Sequence, residues 1–194
     1  HIVFRASSKV AEFVSSYHNK ERPFSLSVNI SPSTIQSNKL SEFIEYTTQL
    51  PENINLEFEL TEGVFLGLNN TIWQEINSLH KNNISISIDD FGTGYSNIGY
   101  LHELNIDVLK IDKRFINGIP HNKKQMHIVL AIINMAKALK LKTIAEGVEY
   151  REQLEWLREN GVDEIQGFLF AQPMEYTEFK SFFLEHNIET LVLV

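Results

Sequence analysis

The stretch ISISIDDFGTGYS, residues 84–96, changes character half-way along. Ile84, Ile86 and Ile88 alternate with Ser85, Ser87 and Asp89, and a second aspartate, Asp90, follows before Gly92 and Gly94. A period of two puts the isoleucines on one face of a β-strand and the polar residues on the other. The pattern recurs upstream. Leu26, Val28 and Ile30 alternate with Ser25, Ser27, Asn29 and Ser31, and Leu56, Phe58 and Leu60 with Glu57, Glu59 and Thr61. Any one of these strands also fits an antiparallel sheet with one wet face.

The rest of the chain decides between the two. Strand-like runs at 25–31, 55–62, 84–90, 108–112, 142–149 and 165–170 are separated by helical patterns such as LSEFIEYTTQL, IWQEINSLHKN, HIVLAIINMAKALK and REQLEWLREN. Further helices are predicted over about 3–18 and 177–186, with Ser33, Asn70 and Thr177 as N-caps. Helices between successive strands indicate a parallel sheet, open or closed. A parallel sheet whose strands alternate apolar and polar is best read as a (β/α) barrel of the TIM-like type, helices outside and a polar lining within. The fold class is therefore α/β.

Bulk properties narrow the function. The chain has 194 residues, 43% of them hydrophobic and 22% charged, which predicts one globular domain over 1–194. It contains no cysteine, so disulfides and thiolate zinc sites are excluded, and its seven histidines show no metal-binding spacing. The net charge of −8 argues against a general nucleic-acid surface. Without a membrane-spanning run or a secretion signal, the domain is expected to be cytoplasmic, whether or not its parent protein is membrane-attached.

In a (β/α) barrel, reactive groups gather at the C-terminal ends of the strands. Six segments deliver polar groups there: Asn29; Glu59 and Glu62; Asp89 and Asp90; Lys110; Glu146 and Glu149; and Gln166. Several carboxylates held together repel one another unless cations neutralise them. Oxygen ligands without cysteine or clustered histidine favour Mg²⁺ or Mn²⁺. Adjacent Asp89 and Asp90 suit two such ions, provided the pleat breaks so that both face one way, and Gly92 and Gly94 permit that break. The tripeptide Asp90-Phe91-Gly92 matches a kinase metal motif, but the other kinase signatures are missing. Gly92-Thr93-Gly94 reads as a turn more readily than as a phosphate cradle.

The blocks SVNIS, ELTE, DDFGTGYS, LKIDKRFI, AEGVE and QGFLFAQP, in this order within a match that runs from about Ser25 to Phe183, resemble the EAL domain, the bacterial phosphodiesterase module for cyclic di-GMP. The resemblance implies Asn29, Glu59, Asp89 and Asp90 as metal ligands, with Glu146 at the second metal. It gives Lys110 a role in orienting the attacking water or meeting the phosphate, and Gln166 a role in supporting the water network. Glu62 would hold the DDFGTGYS loop, which in the family touches both the metal site and a dimer partner, so a homodimer through that region is implied. Glu149, Asp112 and Pro173 would face the substrate. Glu62 and Glu149 read equally well as structural hydrogen-bonders, and Lys110 as an ion-pair partner.

No Glu-Ala-Leu tripeptide occurs among the 194 residues, and the chain starts at His1 inside what the family pattern makes a later helix. The expectation is a domain incomplete at its N-terminus, without its first strands, its signature glutamate and a nearby arginine, and preceded in the natural protein by a sensory or regulatory domain. Asn105 and Gln172 replace a proline and a basic residue common in the family. The expected function is metal-dependent hydrolysis of cyclic di-GMP to linear pGpG by a metal-activated water, with this chain inactive by itself. The alternatives are a non-catalytic EAL-like receptor or protein-interaction module, and an unrelated oxygen-ligand metalloenzyme on the same barrel.

Overall fold

The computed structural model describes residues 2–17, 24–31, 34–35, 44–45, 50–65, 70–92, 101 and 105–186. They form helix α1 (Ile2–Tyr17), strand β1 (Phe24–Asn29), β2 (Ile54–Thr61), α2 (Asn70–Ser78), β3 (Ile84–Phe91) and β4 (Val108–Ile111). A single-turn helix α3 (Lys113–Ile116) follows, then α4 (Lys123–Leu139), β5 (Lys142–Ala145), α5 (Arg151–Glu159), β6 (Glu164–Ile165) and α6 (Tyr176–His186). The chain divides into two compact units, one of residues 1–59, 70–85 and 173–194, the other of 60–69 and 86–172.

In the first unit β1 and β2 pair in parallel, with Val28 opposite Phe58 and Asn29 opposite Glu59. Parallel pairing removes the antiparallel alternative. The polar face of these strands is enclosed as well: Ser27, Glu57 and Glu59 are all buried, and the Ser27 hydroxyl donates to Glu57 Oε1 at 3.3 Å. The α1 helix packs on β1, and an aromatic cluster joins α1 to α6. There the Phe13 ring stands edge-on to Phe183 at 5.6 Å and Phe179 at 6.2 Å, and the Lys180 ammonium lies 5.7 Å from its centroid.

In the second unit β3, β4, β5 and β6 pair in parallel, with Ile88 opposite Leu109, Leu109 opposite Thr143 and Ala145 opposite Ile165. The α4 helix packs over β4 and β5, burying Val129, Ile132, Ile133 and Ala136. It starts where the Asn122 side chain accepts the Lys124 and Gln125 amides at 3.0 and 3.2 Å, and stops at Lys140, whose φ is 61°. Among the described residues, no helix is long and apolar enough to cross a membrane.

Two predicted strands are shorter than their patterns. Strand 142–149 ends at Ala145, because Gly147 turns left-handed with φ 67° and breaks the extended backbone. Of the run 165–170 only Ile165 lies in a strand, β6 (Glu164–Ile165), and Phe168 and Phe170 are exposed in the turn beyond it. Their alternation signals a strand only where a partner lies alongside. Helix α6 begins one residue before the expected cap Thr177, whereas Ser33 and most of the predicted helix at 40–50 lie outside the described residues.

Leu109 is fully buried on β4, which pairs on both sides. Leu109→Ala is expected to destabilise the protein by about 3 kcal/mol, or roughly 10 °C in a domain of this size. Urea and thermal unfolding followed by circular dichroism measure it.

Candidate metal and active site

Successive residues of a regular strand point to opposite faces, so Asp89 and Asp90 can act together only where β3 is distorted. The pairing register of β3 shifts between Ile88 and Phe91, and Asp90 takes a left-handed backbone with φ 55°. Aspartate is among the few residues other than glycine that tolerate this conformation. The break therefore begins on Asp90 itself, two residues before Gly92, the first position read for it. As a result, one carboxylate oxygen from each of Asp89, Asp90 and Glu146 lies within 4.8 Å of the other two.

The turn after β3 is anchored on both sides. The Gly92 amide donates to Glu62 Oε1 at 2.8 Å. A Cβ on Gly92, whose φ is 91°, would come within 2.9 Å of the Phe115 ring. The turn after β5 packs similarly, since a Cβ on Gly147 would lie 2.5 Å from Lys113 Cβ. The single turn α3 thus presses on both carboxylate-bearing loops. Thr93 to Ser96, the remainder of the DDFGTGYS loop, lie outside the described residues.

Lys110, on β4 between these loops, is 1% exposed. Its ammonium lies 2.6 Å from Glu146 Oε1 and 3.4 Å from Asp89 Oδ1. An unpaired ammonium at that depth would be strongly destabilising, so the carboxylates hold it as much as it holds them. Two carboxylates flank the ammonium and a third, Asp90, lies beside them, which leaves an excess of negative charge.

Part of that excess appears in the Asp90 carboxyl, whose pKa is raised from 3.8 to about 6. A hydrogen bond shared with Asp112 is the main cause, followed by burial and by repulsion from Asp89 and Asp112. Burial also works against ionisation of Asp112. Its hydrogen bonds with Asp90, the Arg114 amide and the Arg114 guanidinium outweigh this and hold its pKa below the usual value. Asp112 is the N-cap of α3, with Oδ1 accepting from Arg114 N at 2.7 Å and Nε at 3.0 Å.

Gln166 brackets the Glu146 turn through its main chain, donating to Ala145 O at 2.8 Å and accepting from Val148 N at 3.0 Å. Its side-chain Oε1 is buried with no hydrogen-bond partner among the described residues. Carboxylate oxygens within reach of one another fit a hard divalent cation, and an orphaned amide oxygen fits a water. Glu149 is exposed, and its amide donates to Gln153 Oε1 at 2.9 Å. In the other unit, Asn29 is exposed at the end of β1, Glu59 is 1% exposed beside it on β2, and Pro173 is exposed.

Sequence reasoning missed Gln153 and Arg114. Gln153 is buried, its Oε1 accepting the Glu149 and Tyr150 amides and its Nε2 donating to Ile116 O at 3.1 Å. A glutamine three residues into a helix bonding back to the cap amide is a readable capping signal. Arg114 had none, since its role depends on which carboxyl stands across the turn.

Gln153→Ala strands two amides and a carbonyl, and is expected to destabilise the protein by about 2 kcal/mol, read as a lower urea midpoint. A pKa raised on folding means that ionising Asp90 weakens the fold as pH rises from about 4 through 6. Asn at this position keeps the left-handed turn and a donor to Asp112 without the charge. Solvent screening of the partly open group holds its gain near 1 kcal/mol, about 2–4 °C. Metal-free Asp90→Asn is thus expected to melt that much higher than wild type at pH 8 and at the same temperature near pH 4, by calorimetry.

A model of the EAL domain matches residues 3–173. The signaling protein YkoW of Bacillus subtilis is 41% identical over 172 residues, covering 87% of this chain and 21% of that protein. The cyclic di-GMP phosphodiesterase NbdA of Pseudomonas aeruginosa is 42% identical over 135 residues, 69% of this chain and 17% of its own length. The chain spans about a fifth of these curated relatives. Among solved structures, the EAL domain of Mycobacterium smegmatis DcpA superposes with a TM-score of 0.81 at 26% identity, covering 95% of this chain and 82% of that one. The PaMucR phosphodiesterase in its c-di-GMP complex gives 0.79 at 30% identity, covering 92% and 72%. Parallel strands alternating with helices, in the α/β barrel-like architecture of these neighbours, and the match along most of its length establish that the chain belongs to the EAL domain family.

Proposed function

We propose that the protein is a metal-dependent phosphodiesterase that hydrolyses cyclic di-GMP to linear pGpG in the cytoplasm. The observation that carries the reading is the grouping of Asp89, Asp90 and Glu146 around buried Lys110, on a chain of a family whose relatives include named cyclic di-GMP phosphodiesterases. Asp89, Asp90 and Glu146 would hold two Mg²⁺ or Mn²⁺ ions, which lower the pKa of a water and neutralise charge on the phosphate. Asn29 and Glu59 are proposed as further ligands on the strength of the sequence resemblance.

The chain's own residues supply the rest. Lys110 is a buried cation fixed by its neighbours, and positive charge held in place toward a phosphorane-like transition state costs no reorganisation. Glu146, within hydrogen-bond reach of Lys110, is proposed to orient that ammonium and to take a proton from the attacking water. Gln166 Oε1 is available to accept a hydrogen bond from the same water. Glu62 fixes the loop that carries Asp89 and Asp90 by holding the Gly92 amide. Glu149 and Pro173 are proposed substrate contacts, the remainder of the DDFGTGYS loop a contact with a second copy, and an upstream sensory domain the source of regulation.

The test is hydrolysis of cyclic di-GMP by the natural full-length protein with Mg²⁺ or Mn²⁺, resolved by chromatography. Wild type should yield pGpG, Asp89→Asn should lose at least 100-fold in kcat with an unchanged circular dichroism spectrum, and Lys110→Met should lose about 100-fold. Binding of cyclic di-GMP without turnover would identify a receptor instead. Undiminished turnover in Asp89→Asn would refute the metal assignment.

A further inference from the structure

The turn that follows β5 carries two carboxylates that are held in different ways. Glu146, at its start, is fixed at both ends: its carboxylate meets buried Lys110 at 2.6 Å and its amide donates to Ile111 O at 3.0 Å. Glu149, at the far end, is exposed, and its carboxylate makes no hydrogen bond or ion pair among the described residues. Only its main chain is fixed. Val148 before it is clamped, its amide donating to Gln166 O at 3.0 Å and its carbonyl accepting the Leu169 amide at 3.0 Å. The next two amides, of Glu149 and Tyr150, both donate to Gln153 Oε1, at 2.9 and 3.0 Å.

Gln153 does more than cap α5. A cap needs only the Oε1 bonds, which satisfy amides at the start of the helix. The other end of the same side chain, Nε2, donates to Ile116 O at 3.1 Å, on α3 and 37 positions away in the chain. The side chain that makes these bonds is 2% exposed, so no water competes for them. Lys113, also on α3, packs on Gly147 in the middle of the same turn. The turn is therefore held from α3 twice, by packing at Gly147 and through the Gln153 side chain at Glu149. A pinned backbone beneath an unengaged carboxylate suits an outside ligand, because that backbone has little freedom left to lose on binding.

We infer that Gln153 is a positioning residue for substrate: its two amide bonds and its tether to α3 set where the Glu149 carboxylate stands, and so how tightly the dinucleotide binds. It acts on Glu149 and leaves Glu146 in place, because Lys110 and the pairing of β4 with β5 hold that residue independently. The inference rests on the reading of Glu149 as a substrate contact and adds what fixes it.

The experiment measures kcat and KM for cyclic di-GMP at saturating Mn²⁺ in the natural full-length protein, with Mn²⁺ affinity read by electron paramagnetic resonance. Gln153→Met keeps the length of the side chain and loses all three bonds, whereas Gln153→Glu keeps the amide bonds and loses the donor to Ile116 O. Both are compared with wild type, with Glu149→Gln and with each double variant. Gln153→Met is expected to raise KM about tenfold and to leave kcat and Mn²⁺ affinity unchanged. Gln153→Glu should raise KM less. Combined with Glu149→Gln, neither change should raise KM further, since residues that act through one contact are not additive.

A lowered urea midpoint with wild-type KM in Gln153→Met would show a cap and nothing more, and overturns the inference. Wild-type KM in Gln153→Glu overturns the tether to α3. Full additivity in the double variants overturns the route through Glu149, and lower Mn²⁺ affinity with unchanged KM overturns it in favour of support for Glu146. If Gln153→Met fails to fold, Gln153→Glu and its double variant decide the matter. Wild-type KM in Glu149→Gln removes the substrate contact on which the inference stands, while absence of turnover in wild type removes the functional reading itself.

Discussion

An ammonium buried to 1% exposure between Glu146 at 2.6 Å and Asp89 at 3.4 Å is the interaction around which the second unit is arranged. Desolvating a lysine is tolerable only if counter-charges arrive from the right directions. Here they come from two different strands, so β3 and β5 must end at compatible heights on either side of β4. The parallel registers of Ile88 with Leu109 and of Lys110 with Ile144 set those heights. The same geometry that satisfies Lys110 crowds acids together, and Asp90 adds a third from the broken end of β3.

That crowding ties structure to chemistry. Without a cation, the cluster relieves part of its charge by binding a proton on Asp90 below about pH 6, shared with Asp112. A divalent ion would exchange that proton for metal coordination, and the fold would then be most stable with the ions bound. Carboxylates that repel one another in the metal-free protein are thus the expected signature of a site adapted to cations.

The short helix α3 carries more of the site than its four residues suggest. Its N-cap meets Asp90, Lys113 packs on Gly147, Phe115 packs on Gly92, and Ile116 O holds the side chain that bonds the Glu149 amide. Strand-end loops in a barrel carry function because a rigid framework beneath positions them. In this molecule one turn of helix braces two of them, and a Cβ at Gly92 or Gly147 would press on that brace.

Much was legible in the residues themselves. The period-two alternation at 84–90, repeated at 25–31 and 55–62 with helices between, identified parallel strands and a polar inner face, because side-chain direction along a strand follows from local geometry. The spacing of acids at strand ends, and the block order shared with EAL domains, pointed to Asp89, Asp90, Lys110 and Glu146 as neighbours. Tertiary structure decided the rest. Whether 165–170 was a strand depended on a partner lying beside it. The left-handed angle that turns Asp90 toward its neighbours is one aspartate tolerates, but local preference does not say which aspartate will adopt it. Local pattern determines which way a side chain can point; what it meets there is set by segments that only folding brings together.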